Sequence, residues 1–277
     1  MAPQVIMTCF AGRRRYLEIL VKYVDKLIAK GLVDEFHMWD FTRDPEDAVW
    51  IQENCSRFKI FQVQDKSNWK EYYMHYAKIN YPDPDTVLIK CDDDIVFIDV
   101  EQFQSFIDIR RSRPDYFVAF ASIVNNKVPG LIQQHWGQWP NFTTSDIGNF
   151  MFSASICTQL HKWFLESKDA FLEISRTIPM SKRICVVQRE PDALVNINFF
   201  AILAKDLHLF QHCWERDEYD ISQRLPVFIN RSNYVDPGFV VNHLSFTRQR
   251  QLGFDETEAL KGYSDLAVTR LDNIVNH

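Results

Sequence analysis

Two hydrophobic rhythms alternate along the first 125 residues. Residues 5–10 form a short apolar run that predicts a strand. Tyr16, Leu17, Leu20, Val21, Val24, Leu27 and Ile28 then recur at helical spacing, and Gly31 predicts a stop. The pattern repeats with strands at 36–41 and 58–63 and a helix at 44–54 between them. Asn68-x-x-Glu71 has the form of a capping box opening a helix to about residue 80, which Pro82 and Pro84 end. A fourth strand at 86–90 runs directly into Asp92, Asp93 and Asp94. Asp99-x-x-Gln102 predicts the cap of the next helix, and 116–124 a fifth strand.

This alternation predicts an α/β fold, a mostly parallel sheet flanked by helices with right-handed crossovers. Ligands in such sheets sit beyond the carboxyl ends of the strands, where the three aspartates fall. The second half is less regular. Residues 127–145 read as a loop carrying Trp136 and Trp139, 150–171 as a short strand and a helix, 191–205 as a helix, and 227–246 as strand-rich connections. Without a Gly/Ser linker, internal repeat or low-complexity segment, one domain over 1–277 is expected.

Composition narrows the classes. The chain has 277 residues, 46% hydrophobic and 25% charged, which suits a folded globular protein rather than a disordered one. A formal charge of −6 argues against nucleic acid as a partner. Six scattered cysteines show no zinc spacing and read as buried, reduced thiols of a reducing compartment. No stretch has a signal-peptide layout or the length to span a membrane, so a cytoplasmic location is expected. The Asn-x-Ser/Thr matches at Asn54, Asn141 and Asn230 then read as chance.

The strongest chemical signal is Asp92-Asp93-Asp94. Adjacent carboxylates repel, and at the end of so apolar a strand they need positive charge; a divalent cation supplies it through oxygen ligands. The alternative is a solvated acidic turn. Strand alternation puts Asp92 and Asp94 on one face with Lys90, and Asp93 on the other.

The run Ile89-Lys90-Cys91-Asp92-Asp93-Asp94-Ile95-Val96-Phe97 resembles the D-x-D region of GT-A glycosyltransferases. The resemblance implies a GT-A, Rossmann-like fold, with 1–125 as the nucleotide-binding half and 126–277 as a smaller mixed half that binds the acceptor and carries the catalysis. It implies Asp94 as a metal ligand, Asp92 on the metal or ribose, and Asp93 near the donor sugar. The first strand-to-helix turn, with Thr8, Phe10, Gly12 and Arg13, then holds the nucleotide; a basic surface helix start is the plainer reading of Arg13, Arg14 and Arg15. Asp40 and Asp65 reach the base or ribose, or are ordinary loop aspartates. Asp192, in Glu190-Pro191-Asp192, resembles the acidic motif of inverting members and would be the general base, with Glu190 as alternative and helix capping as the structural reading. His243 matches the late histidine that such enzymes return to the metal; a core histidine is the other reading. Oxygens plus one imidazole suit Mn2+ better than Mg2+. Arg248 and Arg250 face the diphosphate or solvent, and the Trp136–Trp139 stretch is either the acceptor platform or a packed loop.

The implied activity is transfer of a sugar from a nucleotide donor to a glycan hydroxyl, with inversion. The chain also resembles soluble glycosyltransferases of chlorella viruses, which act in the host cytoplasm; that likeness favours a UDP donor and UDP-xylose among them. Rival readings are a haloacid-dehalogenase-like phosphatase using Asp92-Asp93-Asp94-Ile95-Val96, a sugar nucleotidyltransferase, whose Gly-rich signature is missing, and a non-catalytic carbohydrate- or cation-binding module.

Overall fold

A computed structural model describes residues 3–187 and 194–274. In chain order the strands are β1 (Val5–Ala11), β2 (Glu35–Asp40), β3 (Lys59–Gln62), β4 (Val87–Asp92), β5 (Ile95–Ile98), β6 (Val118–Val124), β7 (Cys185–Val186), β8 (Phe199–Leu203) and β9 (Tyr234–His243). The helices are α1 (Arg14–Ala29), α2 (Pro45–Asn54), α3 (Lys70–Lys78), α4 (Phe103–Ser112), α5 (Lys127–His135), α6 (Thr144–Asn149), α7 (Ala154–Thr177), α8 (Asp217–Tyr219), α9 (Leu225–Phe228), α10 (Thr247–Gln251) and α11 (Thr257–Asn273).

The fold is α/β, with a mostly parallel sheet ordered β3-β2-β1-β4-β8-β6-β9-β5 and β7 paired to β9. β1, β2, β3 and β4 are mutually parallel, β6 and β9 share their direction, and β8, β5 and β7 run against them. From β1 the chain builds outward to β2 and β3, then returns to place β4 on the other side of β1. That reversal opens a crevice beyond the carboxyl ends of β1 and β4. Residues 11–13 and 92–94 meet there.

Side-chain alternation divides the core. Met7, Cys9, Ile89 and Cys91 face a core built with α1, α4, α7 and α11. Ile6 and Leu88 face the other side, against Tyr72, Tyr73 and Tyr76 of α3 and Phe210. Local chemistry sets several ends. Gly31 takes φ +67 and closes α1, with its N–H on the Ile28 carbonyl (2.9 Å) and that of Leu32 on Leu27 (2.9 Å). Asp44 caps α2 by accepting from Glu46 N–H at 2.9 Å, with Pro45 as the first helical residue.

Several expectations are corrected. Residues 127–145 are not a loop: they carry α5 and the start of α6, whose capping box pairs Thr143 with Asp146. Trp139 is 2% exposed and donates Nε1–H to Gln133 Oε1 at 2.8 Å, so it belongs to the core and is no sugar platform; Trp136 is partly buried at the end of α5. No strand precedes α7 in 150–171, where a 3-10 turn, Phe150–Phe152, leads into the helix. The helix expected at 191–205 is absent from the residues described there. Phe199–Leu203 is instead β8, buried at every position between β4 and β6. A continuous apolar run carries no periodicity to separate a buried helix from a strand buried on both faces. The Asn68 box does not form, since Trp69 stands at the start of α3 without a side-chain cap. Asp99 caps nothing: it is fully buried and pairs with Arg176 (3.3 Å) and Arg270 (3.6 Å). β5 had no expectation attached to it.

Candidate active site

β4 ends at Asp92, and the next two aspartates form the turn into β5. Pairing of β5 with β9 sets Ile95 opposite His243, while the N–H of Leu244 donates to the Asp94 carbonyl at 2.9 Å. This register delivers His243 to the aspartates. One ligand atom each from Asp92, Asp94 and His243 lies within 4.8 Å of the other two. His243 Nε2 stands 3.3 Å from Asp94 Oδ1.

Asp94 Oδ1 is buried and, apart from its 3.3 Å contact with His243 Nε2, has no hydrogen-bond partner among the described residues. Unsatisfied buried acceptors are costly, so this geometry fits a bound cation. The donor set of two carboxylates and an imidazole suits Mn2+.

The other oxygens are occupied. Lys90 Nζ, buried, bonds Asp92 Oδ1, as strand parity requires, and Asn198 Nδ2 donates to Asp92 Oδ2 at 2.8 Å. Arg13 clamps the remaining pair: its Nη2 bonds Asp93 Oδ1 and reaches Asp94 Oδ2 at 2.9 Å, and its Nε donates to Asp93 Oδ2 at 3.1 Å. Gly12 N–H adds a bond to Asp93 Oδ2 at 3.1 Å. Burial pushes the Asp93 carboxyl up to about 6 against the pull of Arg13. Burial also acts upward on Asp94, but His243 and Arg13 outweigh it and hold that carboxyl well below the ordinary range.

Two cavities share Phe10, Gly12 and Arg13. The smaller, about 340 Å3, holds the aspartates, Asn198, His243, Ser245, Phe246, Thr247 and Arg250. The larger, about 890 Å3, has aromatic walls in Phe10, Phe41 and Trp69, cations in Arg13, Arg14, Arg15, Arg43 and Lys66, and carboxylates in Glu18, Asp44 and Asp47. Together they make a cleft with the aspartate cluster at one end and aromatic walls of mixed, mainly basic charge at the other.

Other expected residues fall at different distances from it. Thr8 is fully buried, its hydroxyl 2.6 Å from Tyr72 OH and donating to the Ile89 carbonyl at 3.0 Å; it braces β1 and β4 and lines neither cavity. Asp40 is also buried and outside both linings; it accepts from Thr42 N–H at 3.0 Å and pairs with the cleft residue Lys66 at 3.1 Å. Asp65 is exposed and accepts from Ser67, whose hydroxyl and N–H hold its carboxyl below the ordinary range. Arg250 lines the smaller cavity and donates to the Ser245 carbonyl at 3.0 Å, whereas Arg248 is exposed. Asp192 and Glu190 lie outside the described residues. Asn198 had no sequence signal, since it sat inside a stretch that read as helix.

No protein-family model and no curated protein matches this chain. Among solved structures it is similar to 4-diphosphocytidyl-2C-methyl-D-erythritol synthase from Anaerococcus prevotii, at 11% identity and TM-score 0.46, over 95% of this chain and 98% of that one. It is also similar to CMP:2-keto-3-deoxy-manno-octonic acid synthetase complexed with CTP, at 10% identity and TM-score 0.49, over 98% of this chain and all of that one. Both likenesses concern the fold alone.

Proposed function

We propose that the chain is a metal-dependent glycosyltransferase of the GT-A type. It would move a sugar from a nucleoside-diphosphate donor, UDP-linked in the first instance, to a hydroxyl of a glycan. The observation that carries this reading is the convergence of Asp92, Asp94 and His243 beside an aromatic, basic cavity of about 890 Å3. That pairing suits a ligand with a flat base at one end and a charged diphosphate at the other.

In this reading Asp92, Asp94 and His243 hold the cation. When bound, it offsets the charge that builds on the departing diphosphate. Lys90 and Asn198 fix both oxygens of Asp92, so its orientation is set before substrate arrives. Arg13, half-buried between the two cavities, holds Asp93 and Asp94 and presents its outer face to phosphate oxygens. Phe10, Phe41 and Trp69 offer apolar faces to the base. The sequence motif around Asp192 and Glu190 is the basis for expecting inversion. The likeness to chlorella-virus enzymes makes UDP-xylose the first donor to try.

The test is incubation with a panel of UDP-sugars and free monosaccharides in Mn2+. Release of UDP that needs Mn2+ and is lost in Asp94→Ala supports the reading. Release of pyrophosphate from CTP or UTP would replace it with nucleotidyl transfer, and metal-dependent phosphate release with a phosphatase.

A further inference from the structure

The three aspartates carry one negative charge more than the two cations bonded to them, Lys90 and Arg13. Lys90 is committed to Asp92 and, at 3.0 Å, to the Ile197 carbonyl. Asp93 and Asp94 share the single guanidinium of Arg13.

Arg13 grips the two unequally. Asp93 is held by two bonds, Nη2 to Oδ1 and Nε to Oδ2 at 3.1 Å, and the Gly12 N–H adds a third to Oδ2 at 3.1 Å. Asp94 has one, from the same Nη2 to Oδ2 at 2.9 Å. Among the described residues Arg13 Nη1 makes no hydrogen bond, and the side chain lines both cavities. The Tyr16 ring lies 4.5 Å from the guanidinium carbon, and its hydroxyl is fixed by Glu256 at 2.6 and 2.8 Å, which gives the group a rigid seat.

A divalent cation at Asp92, Asp94 and His243 would turn this balance from one negative charge to one positive. It would also leave a guanidinium bonded to a metal ligand, and like charges so close repel strongly where the carboxylates are buried. The weaker grip, on Asp94, is the one to yield. The bonds to Asp93 and the Tyr16 seat keep Arg13 in place, so a small turn about Asp93 points its freed donors into the cleft. An anion there restores neutrality.

Resting on the glycosyl-transfer reading, we propose that Arg13 is an exchangeable cation: it neutralises Asp94 in the metal-free protein and, pivoting on Asp93, passes to the diphosphate of the nucleotide once a metal ion occupies Asp94. One side chain then couples the cation to the nucleotide, and favours a nucleoside diphosphate over a bare nucleoside.

The experiment measures UDP and uridine binding by calorimetry, without metal and in saturating Mn2+, for wild type, Arg13→Ala and Arg13→Lys. Without metal Arg13 is tied to Asp94, so wild type and Arg13→Ala should bind UDP within about threefold of each other. In Mn2+ wild type should bind UDP more tightly than Arg13→Ala by about tenfold or more, within the usual range of coupling between two sites. Uridine carries no phosphate and should bind both proteins alike in either condition. Arg13→Lys keeps the charge and guards against a folding failure of Arg13→Ala. It should show the same pattern, since one ammonium group cannot hold Asp93 by two bonds and bind phosphate as well. A fixed phosphate contact would cost the variants the same factor with and without Mn2+; that result overturns the exchange while leaving glycosyl transfer intact. Failure of wild type to bind UDP in Mn2+ instead overturns the reading beneath it.

Discussion

His243 Nε2 lies 3.3 Å from Asp94 Oδ1, although Asp94 sits in the β4–β5 turn and His243 ends β9 in the other half of the chain. Removing either should act on the metal before anything else. Asp94→Ala is expected to abolish Mn2+ binding. His243→Ala is expected to weaken it by more than about 100-fold, since loss of a direct ligand should exceed the roughly 10–100-fold cost of losing an outer-shell partner. Titration of free Mn2+ by electron paramagnetic resonance measures both, and unchanged affinity in either variant would remove that residue from the site.

Arg13 should separate the metal from the nucleotide. Its guanidinium neutralises Asp93 and Asp94, whose side chains are each 4% exposed. Arg13→Ala leaves Asp93 with the Gly12 N–H and Asp94 with His243 but removes their guanidinium, so Mn2+ should bind more tightly while UDP binds more weakly. The metal-free protein should lose about 2 kcal/mol of stability, below the usual cost of a broken buried pair because the Arg13 side chain is 35% exposed. Denaturant melts with and without Mn2+ test this; equal destabilisation in both conditions would contradict it.

His161 predicts an acid limit. It is buried between Tyr263 OH (2.9 Å) and the carbonyl (2.6 Å) of Leu244, the residue that follows His243 at the end of β9. Burial lowers its pKa from 6.5 to about 4. Between those values the unfolded chain binds a proton that the folded chain does not, so stability falls as pH drops through 6.5 toward 4. The loss is on the order of 3 kcal/mol. His161→Gln should flatten the stability curve in that window, and an unchanged slope would reject the assignment.

Arg183 and Asp236 form a bidentate pair, both contacts 2.7 Å, with side chains 5% and 0% exposed. A Cβ at Gly238 would come within 2.3 Å of Arg183 Nε, so the guanidinium fills the space that glycine leaves. Arg183→Met strands a buried carboxylate and should cost about 3–5 kcal/mol. UDP affinity of the folded fraction should not change, as measured by calorimetry below the melting transition. A loss of affinity would tie this pair to the cleft.

Local pattern made much of the nucleotide-side half legible. The apolar runs and helical spacings of residues 5–90 anticipated β1, α1, β2, α2, β3, α3 and β4, because short apolar runs and helical spacing are local features of the chain. Lys90 beside Asp92 followed from strand parity alone. Trp139 and the α5–α6 region were not legible in the same way: Trp and Gln suit a sugar platform and a packed core equally, and only burial distinguishes them.

By itself, the amino-acid sequence determined that three carboxylates end an apolar strand in an alternating α/β chain, since that depends only on neighbours and spacing. Tertiary structure decided which distant residues join them. Antiparallel pairing of β5 with β9 brings His243 to Asp94, and β8 entering between β4 and β6 brings Asn198 to Asp92. Those are choices of long-range register. They are settled by how whole strands bury against one another, and no local periodicity encodes them.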